Sequence, residues 1–295
     1  MRAGAGDTSS MTISDIQKIK LGSNKDIFDA LHKISSENKY KEIVISAAGP
    51  VSENKISMTN RNLEINATDL ETELNVNKCY LLNDWESIGY SLPLMTEKDF
   101  KNIKKGNIDS SQTCLAIGPG TGLGFSVLRH IGTIPYVYPT ELGNTRSYNE
   151  HLSKIFEIES FSNFTVLEDY LSGTGIKKIY AEKSGKKRTT EEIVSSYHED
   201  DLATFILNNF VVAMSNILQD LALTFNARGG IFFAGSLMRT ISEMSSINYI
   251  KEEFNEHTSE AHSKILKNIS INLITKEHTP LYGNLNYSVI RRLHE

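Results

Sequence analysis

The sequence is poor in cysteine, with only Cys79 and Cys114 among 295 residues. So few cysteines exclude a disulfide framework, and this usage is typical of a protein in a reducing compartment. The first ten residues contain no apolar run of the kind that forms a secretory signal. We therefore predict a cytoplasmic protein.

An excess of basic charge is also missing, since 31 Lys and Arg stand against 36 Asp and Glu, for a net charge of -5. No local run gathers enough basic side chains to follow a phosphate backbone, so nucleic acid is not a predicted partner. The one long uncharged run, Leu202 to Gln219, is interrupted by Asn208, Asn209 and Ser215. We interpret it as a buried helix, and no membrane association is predicted.

Two kinds of catalytic centre are absent as patterns. The eight histidines show no metal-ligand spacing, and the two cysteines are too far apart to form a ligand pair, so no metal ligand is assigned. No Gly-x-Ser-x-Gly segment is present, so a nucleophile elbow is excluded.

Short β-branched and aromatic runs alternate with helical patterns, and this alternation predicts an α/β fold class. The length suggests about two domains or lobes. The Lys- and Asn-rich stretch Thr96 to Ser111 is predicted to be an exposed connection between them. Helices are predicted over 24–36, 67–76, 166–171, 176–183 and 202–225, and strands over 42–47, 79–82, 113–117, 125–130, 134–137, 230–234 and 269–275.

The most distinctive local pattern is a glycine-rich loop that follows a predicted strand. It contains Gly118, Gly120, Thr121, Gly122 and Gly124. Glycines allow the backbone to approach a ligand closely, so that successive N–H groups and the threonine hydroxyl can bind phosphate oxygens. A glycine-rich tight turn between two strands explains the pattern equally well.

A second pattern places Asn83 and Asp84 at the carboxyl end of a buried strand, where open α/β sheets bind their ligands. Asp84 could act there as a general base toward a substrate hydroxyl. By themselves these residues favour the alternative that Asp84 caps the next helix. Glu141 and Glu168 lie in polar, glycine-containing turns, where carboxylates and amides suit a polyhydroxylated ligand, although each alone reads as a solvated surface residue.

Taken together in order, these segments resemble the bacterial glucokinase family, sugar kinases with the two-lobed actin-like ATPase fold and a cleft between the lobes. The resemblance covers most of the chain from about residue 20 onward. The matching segments are Ile45 to Pro50, Met58-Thr59-Asn60, Leu82-Asn83-Asp84, Gly118 to Gly124, the Glu141 turn, Leu171 to Gly175 and Gly229 to Gly235.

The resemblance implies ATP-dependent phosphorylation of a hexose, glucose at its 6-hydroxyl, with Mg²⁺ accompanying ATP. Asp84 matches the family's general base. The implied sugar-binding residues are Thr59, Asn60, Asn83, Asp84, Glu141, Asn144 and Glu168. The implied nucleotide-binding residues are Asp7, Gly118, Gly120, Thr121, Gly122, Gly124, Gly235 and Ser236. Sugar and ATP are the expected small-molecule partners, and the resemblance admits a homodimer.

Three segments depart from the family pattern. Glu141-Leu142-Gly143-Asn144 stands where the family has Glu-Gly-Gly-His, and the segment ending at Gly283 only loosely resembles a Pro-Gly-Leu-x-Gly turn. At the N-terminus, Asp7-Thr8-Ser9-Ser10 stands for the family's Asp-x-Gly-Gly-Thr turn, with no strand predicted before it and too few residues after it for the usual hairpin.

The N-terminal departure keeps an alternative open, a catalytically silent homologue that binds sugar or acts as a sensor. A sugar-responsive transcriptional regulator is disfavoured, because the chain has neither a helix-turn-helix extension nor basic charge. The resemblance predicts a small lobe of residues 1–95 plus 279–295 and a large lobe of 96–278.

Overall fold

A computed structural model describes residues 1–20, 24–37, 40–58, 64–109, 111–159 and 161–292. They confirm the α/β class. The elements up to residue 95 are β1 (Arg2–Asp7), β2 (Thr12–Lys18), α1 (Asn24–Glu37), β3 (Glu42–Ala47), β4 (Val51–Ser52), β5 (Lys55–Ser57), β6 (Glu64–Asn66), α2 (Ala67–Leu74), β7 (Lys78–Asn83) and α3 (Asp84–Ser91).

The remaining strands and helices follow from residue 96 onward. They are β8 (Phe100–Lys104), β9 (Cys114–Pro119), β10 (Leu123–Ile131), β11 (Ile134–Tyr138), α4 (Asn149–Phe156), α5 (Gly173–Ser184), α6 (Thr190–Ser195), α7 (Asp201–Thr224), β12 (Gly230–Phe233), α8 (Ser236–Ile241), α9 (Asn248–Glu253), α10 (Glu260–Asn268), β13 (Ile271–Ile274) and α11 (Thr279–Arg292).

The chain divides into two compact units. The first contains Met1–Met95, Ile131–Pro139 and Lys276–Glu295, and the second contains Thr96–His130 and Thr140–Thr275. These ranges differ from the predicted lobes in two ways, because residues 131–139 join the first unit and the final segment starts three residues earlier.

In the first unit, β3 and β7 pair in parallel in the register Ala47 with Asn83. The sequence predicts a β3 buried on both faces, but its side chains are only half-buried. A core cluster beside this pair includes Ile56, Leu70 and Cys79. Helix α11 packs against α3 and β3.

The N-terminal segment corrects one expectation, since residues 2–7 form a strand and pair antiparallel with β2. The strand escaped detection because its alternating Ala and Gly have low β-propensity. Packing explains why the residues of this strand are small: a Cβ placed on Gly6 would lie 2.8 Å from Leu285 Cδ1 of α11. Tertiary packing therefore selects these small residues and overrides their propensity.

The strands of the second unit that the structure describes follow the order β10, β9, β12, β13, β8. Strands β9, β12 and β13 run parallel, whereas β10 and β8 are antiparallel to their neighbours. The predicted exposed connection at 96–111 is wrong in part, because it contains β8, with Ile103 and Lys104 buried.

Helix α7 is the central helix of this unit, and many of its apolar side chains, among them Phe210, Met214 and Leu218, have no exposed surface. Within the described ranges it is the one helix whose length and composition would suffice to cross a membrane. Its burial in the core agrees with the buried helix that its asparagines indicate.

Candidate active site

The turn between β7 and α3 contains the predicted base. Asn83 is the N-cap of α3: its Oδ1 accepts from Trp85 N at 2.8 Å, and its own N–H donates to Glu86 Oε2 at 2.9 Å. Asp84 is therefore the first helical residue and not the cap, so the capping alternative for Asp84 is wrong. This half-buried residue lies in the first helical turn, where the positive end of the helix dipole favours a negative charge.

Asn83 also connects this turn to the end of β3. Its Nδ2 donates to Gly49 O at 3.1 Å, while its Oδ1 caps the first turn of α3. Gly49 belongs to the Ile45 to Pro50 motif. The parallel pairing of β3 and β7 thus brings two of the sequence motifs to one edge of the first unit.

Glu86 was missed as a site residue, although its signal was present in the sequence. An Asn followed three residues later by Glu is a capping-box pattern. Burial raises the pKa of the Glu86 carboxyl. The box fixes the backbone of the turn that carries Asp84.

The tip of the β1–β2 hairpin holds Asp7. Its Oδ1 accepts from the N–H of Ser9 at 2.8 Å and from the Ser9 hydroxyl at 2.6 Å, and its Oδ2 accepts from the Ser10 hydroxyl at 2.9 Å. The Ser9 hydrogen bonds are the largest cause that lowers the pKa of Asp7 to about 2. The exposed carboxylate is therefore ionised throughout the physiological range.

The glycine loop of the second unit is a tight turn between antiparallel strands. Gly118 and Gly124 pair across β9 and β10, while Gly120 N donates to Gly122 O at 2.8 Å. Gly120 and Thr121 are exposed. Gly173 N, at the start of α5, donates to Gly120 O at 2.7 Å, which attaches the loop to the Ser172 to Gly175 turn.

Glu168 lies directly over this loop, with its Oε2 accepting from Leu123 N at 3.2 Å. A Cβ on Gly122 would lie 2.5 Å from the same oxygen, so glycine at 122 makes room for the carboxylate. Glu168 belongs to a single 3-10 turn, Leu167–Asp169, and the helix predicted over 166–171 is wrong. Asp169 Oδ2 accepts from the N–H groups of Thr165 and Val166, which fixes this turn.

The Glu141 turn forms a 3-10 turn over Leu142–Asn144. Asn144 Nδ2 donates to Glu141 Oε2 at 3.3 Å, and both residues are exposed. A Cβ on Gly143 would lie 3.0 Å from Glu168 Oε2. The structure therefore brings Glu141, Asn144 and Glu168 together beside the glycine loop.

Gly235 and Ser236 follow β12, which runs parallel to β9. Gly235 has a φ of +108°, a conformation that L side chains rarely adopt, and its Cβ position would be 3.6 Å from Pro119 O. Gly235 therefore lies beside the end of β9 that leads into the glycine loop. Thr59 and Asn60 lie outside the described residues.

These polar side chains and glycine turns lie on an α/β scaffold. The crystal structure of a glucokinase from an Antarctic psychrotroph matches 97% of this chain and 94% of its own, with a TM-score of 0.79 and 21% identity. A glucokinase from Balamuthia mandrillaris in complex with glucose matches with a TM-score of 0.74 and 16% identity, over 95% of this chain and 87% of its own. These likenesses show the fold.

The family follows from sequence. The family model described as Glucokinase matches residues 4–289. The glucokinase of Saccharophagus degradans is 27% identical over 257 residues, which are 83% of this chain and 79% of that protein. The glucokinase of Chelativorans sp. is 25% identical over 276 residues, or 89% of this chain and 78% of its own. The chain belongs to the glucokinase family.

Proposed function

We propose that this protein is a hexose kinase that transfers the γ-phosphoryl group of ATP to the 6-hydroxyl of glucose, with Asp84 as the general base. The observation that carries the proposal is the Asn83–Glu86 capping box in a member of this family. Because Asn83 serves as the cap, the Asp84 carboxylate is not needed for that purpose.

In the proposed reaction the sugar oxygen forms a bond to the γ-phosphorus and the bond to the bridging oxygen breaks, with its electron pair leaving on ADP. The hydroxyl proton passes to the Asp84 carboxylate. Glu141, Asn144 and Glu168 would accept and donate hydrogen bonds to sugar hydroxyls, and the Gly120–Gly122 turn would bind phosphate. Positioning of this kind supplies most of the catalysis in phosphoryl transfer.

The residues present fit a magnesium ion that arrives on the nucleotide. In the described part of the chain no three His, Cys, Asp or Glu side chains are grouped to hold a metal. Mg²⁺ is commonly bound by one or two carboxylates together with substrate phosphates. The ionised carboxylate of Asp7 could supply oxygen ligands of this kind. When bound, the ion would neutralise charge on the transferred phosphoryl group.

The silent-homologue alternative depends on the N-terminal departure, in which no hairpin is predicted and serines stand in place of the family's glycines. The serines remain, but β1 and β2 form the hairpin with Asp7 at its tip, and the comparisons with known proteins do not favour this alternative. Both cysteines are buried and unpaired, which suits the proposed cytoplasmic location. The homodimer stays a prediction.

The test is a coupled assay of ADP release with and without glucose, applied to wild type, Asp84→Asn and Asp69→Asn. Asp69 is a matched control because it also lies in the first turn of a helix, α2, behind an asparagine N-cap, Asn66. We expect Asp84→Asn to lower kcat about 10²- to 10⁴-fold. Asp69→Asn should keep the wild-type kcat.

Two results would contradict the proposal separately. A wild-type protein without sugar-dependent ADP release would remove the kinase function. Full activity of Asp84→Asn would remove Asp84 as the base while leaving the kinase function standing.

A further inference from the structure

The C-terminal helix α11 approaches the base-bearing helix α3 more closely than side chains permit. A Cβ built on Gly283 would overlap the carbonyl oxygen of Ser87 and would lie 3.0 Å from Ser87 Cα. The opposing atoms are backbone atoms, which cannot rotate away as a flexible side chain would. Only glycine at position 283 therefore allows α3 and α11 to pack at this distance.

Ser87 connects this contact to Asp84. Its side chain is fully buried, and its hydroxyl donates to the carbonyl oxygen of Asp84 at 2.7 Å. A displacement of Ser87 by a larger residue at position 283 is therefore passed directly to the backbone of Asp84.

Further contacts hold the rest of α3 to α11. Asn286 Nδ2 donates to Tyr90 O at 2.7 Å, and the rings of Tyr90 and Tyr287 meet edge to face with centroids 5.0 Å apart. At the other end of α3, the Asn83–Glu86 capping box makes the first turn rigid. The helix is therefore held at its end, in its middle and at its first turn.

We propose that Gly283 is a positioning residue for the reaction, because its contact with Ser87 sets the place of the Asp84 carboxylate. The inference rests on the proposed function of Asp84. It assigns a role to Gly283, the last residue of the segment that only loosely resembles the family turn.

The size of the effect follows from the overlap. A methyl group at position 283 reaches ordinary van der Waals distance from the Ser87 carbonyl only if the helices separate by about 2 Å. A misplacement of about 1 Å in a reacting group can lower the rate about 10²-fold. We therefore expect Gly283→Ala to lower kcat about 10²-fold, with the KM for MgATP within about twofold of wild type.

The control is Gly106→Ala in the second unit. A Cβ there would also clash with backbone, with Ile269 C and Ser270 N nearest, so this variant carries a smaller backbone clash away from α3. We expect it to lower the melting temperature but to leave kcat unchanged at temperatures where it is folded. An equal fall in kcat for both variants would mean that general destabilisation, and not positioning, explains the effect.

A double-mutant cycle separates positioning from a merely structural role. If Gly283 acts through Asp84, Gly283→Ala lowers kcat in the wild type but causes no further fall in the Asp84→Asn background. An equal fall in both backgrounds would overturn the proposal.

A second readout needs no activity. Trp85, the single tryptophan, lies next to Asp84 in α3, so its emission reports the position of this helix. We expect Gly283→Ala, but not Gly106→Ala, to shift the emission maximum, and an unshifted Gly283→Ala spectrum would refute the inference. If the wild type shows no turnover, the proposed function fails and the Trp85 spectrum alone decides the positioning.

Should Gly283→Ala fail to fold, Ser87→Ala tests the same connection without a clash. It removes the hydroxyl that donates to Asp84 O. We expect a fall in kcat of about tenfold in a folded protein, on the reasoning that a looser placement is a partial misplacement. A wild-type kcat for Ser87→Ala would contradict the proposed connection.

Discussion

The buried ammonium of Lys104 stabilises the end of α10, and its removal can be predicted in some detail. Its Nζ donates to Leu266 O at 3.1 Å, Lys267 O at 3.1 Å and Ile269 O at 2.7 Å. Lys104 is only 4% exposed. The last carbonyls of a helix lack partners within the helix, so this side chain supplies hydrogen bonds that the helix itself cannot.

The substitution Lys104→Met keeps a similar apolar stem and removes all three donors. Hydrogen bonds from a charged donor contribute about 1.5–3 kcal/mol each, so their loss costs about 4–9 kcal/mol. Burial opposes this, since it lowers the pKa of Lys104 from 10.5 to about 8. That shift corresponds to about 3 kcal/mol, which the variant recovers. We expect the free energy of unfolding to fall by about 1–6 kcal/mol.

Urea denaturation followed by circular dichroism measures this loss, with the exposed Lys105→Met as the control.

The lowered pKa of Lys104 also fixes the sign of the pH dependence of the free energy of unfolding. Between pH 8 and 10.5 the unfolded chain retains a proton that folded Lys104 has released, so wild-type stability gains from this group as pH rises. The stability gap between wild type and Lys104→Met should therefore widen from pH 8 to 10. A Lys104→Met protein as stable as the control would refute the hydrogen-bonding argument, and a constant gap would refute the lowered pKa.

Two further predictions concern the site. Burial raises the pKa of Glu86, so the folded protein binds a proton there more tightly than the unfolded chain does. The contribution of Glu86 to the free energy of unfolding therefore falls as pH rises from 4.5 through the raised pKa. Glu86→Gln can still accept from Asn83 N, so it should be more stable than wild type at pH 8 and equally stable at pH 4 in urea titrations. Gly122→Ala would place a methyl group against the Glu168 carboxylate, and we expect a higher KM for glucose. A wild-type KM for glucose would show that Glu168 does not depend on this contact.

Much of the fold followed from local patterns. The apolar run of β3 predicted a strand with the bounds observed, and the asparagines within the apolar run of α7 indicated a core helix. The pairing of β9 with β10 confirms the alternative that the glycine loop is a tight turn between strands. These elements carry their signal in consecutive residues.

The misses have a common physical cause. The strand β1 has the small residues Gly4 and Gly6 because other side chains pack where its own would be. The sequence of β8 resembles a polar linker because it contains Lys104. The structure buries this lysine, and its ammonium donates to the carbonyl oxygen of Ile269. In each case a partner distant in sequence determines which residue fits, so a local pattern does not show it.

The sequence by itself determined the α/β class, the glucokinase family and the residues that the candidate chemistry requires. These conclusions depend only on residue types and on their order along the chain. Only the tertiary structure decided that Asn83, and not Asp84, caps α3, because capping depends on backbone geometry and on Glu86 reaching back. It also decided that Glu168 lies over the glycine loop and that Gly283 meets Ser87. These are contacts between residues far apart in the chain, and packing alone brings them together.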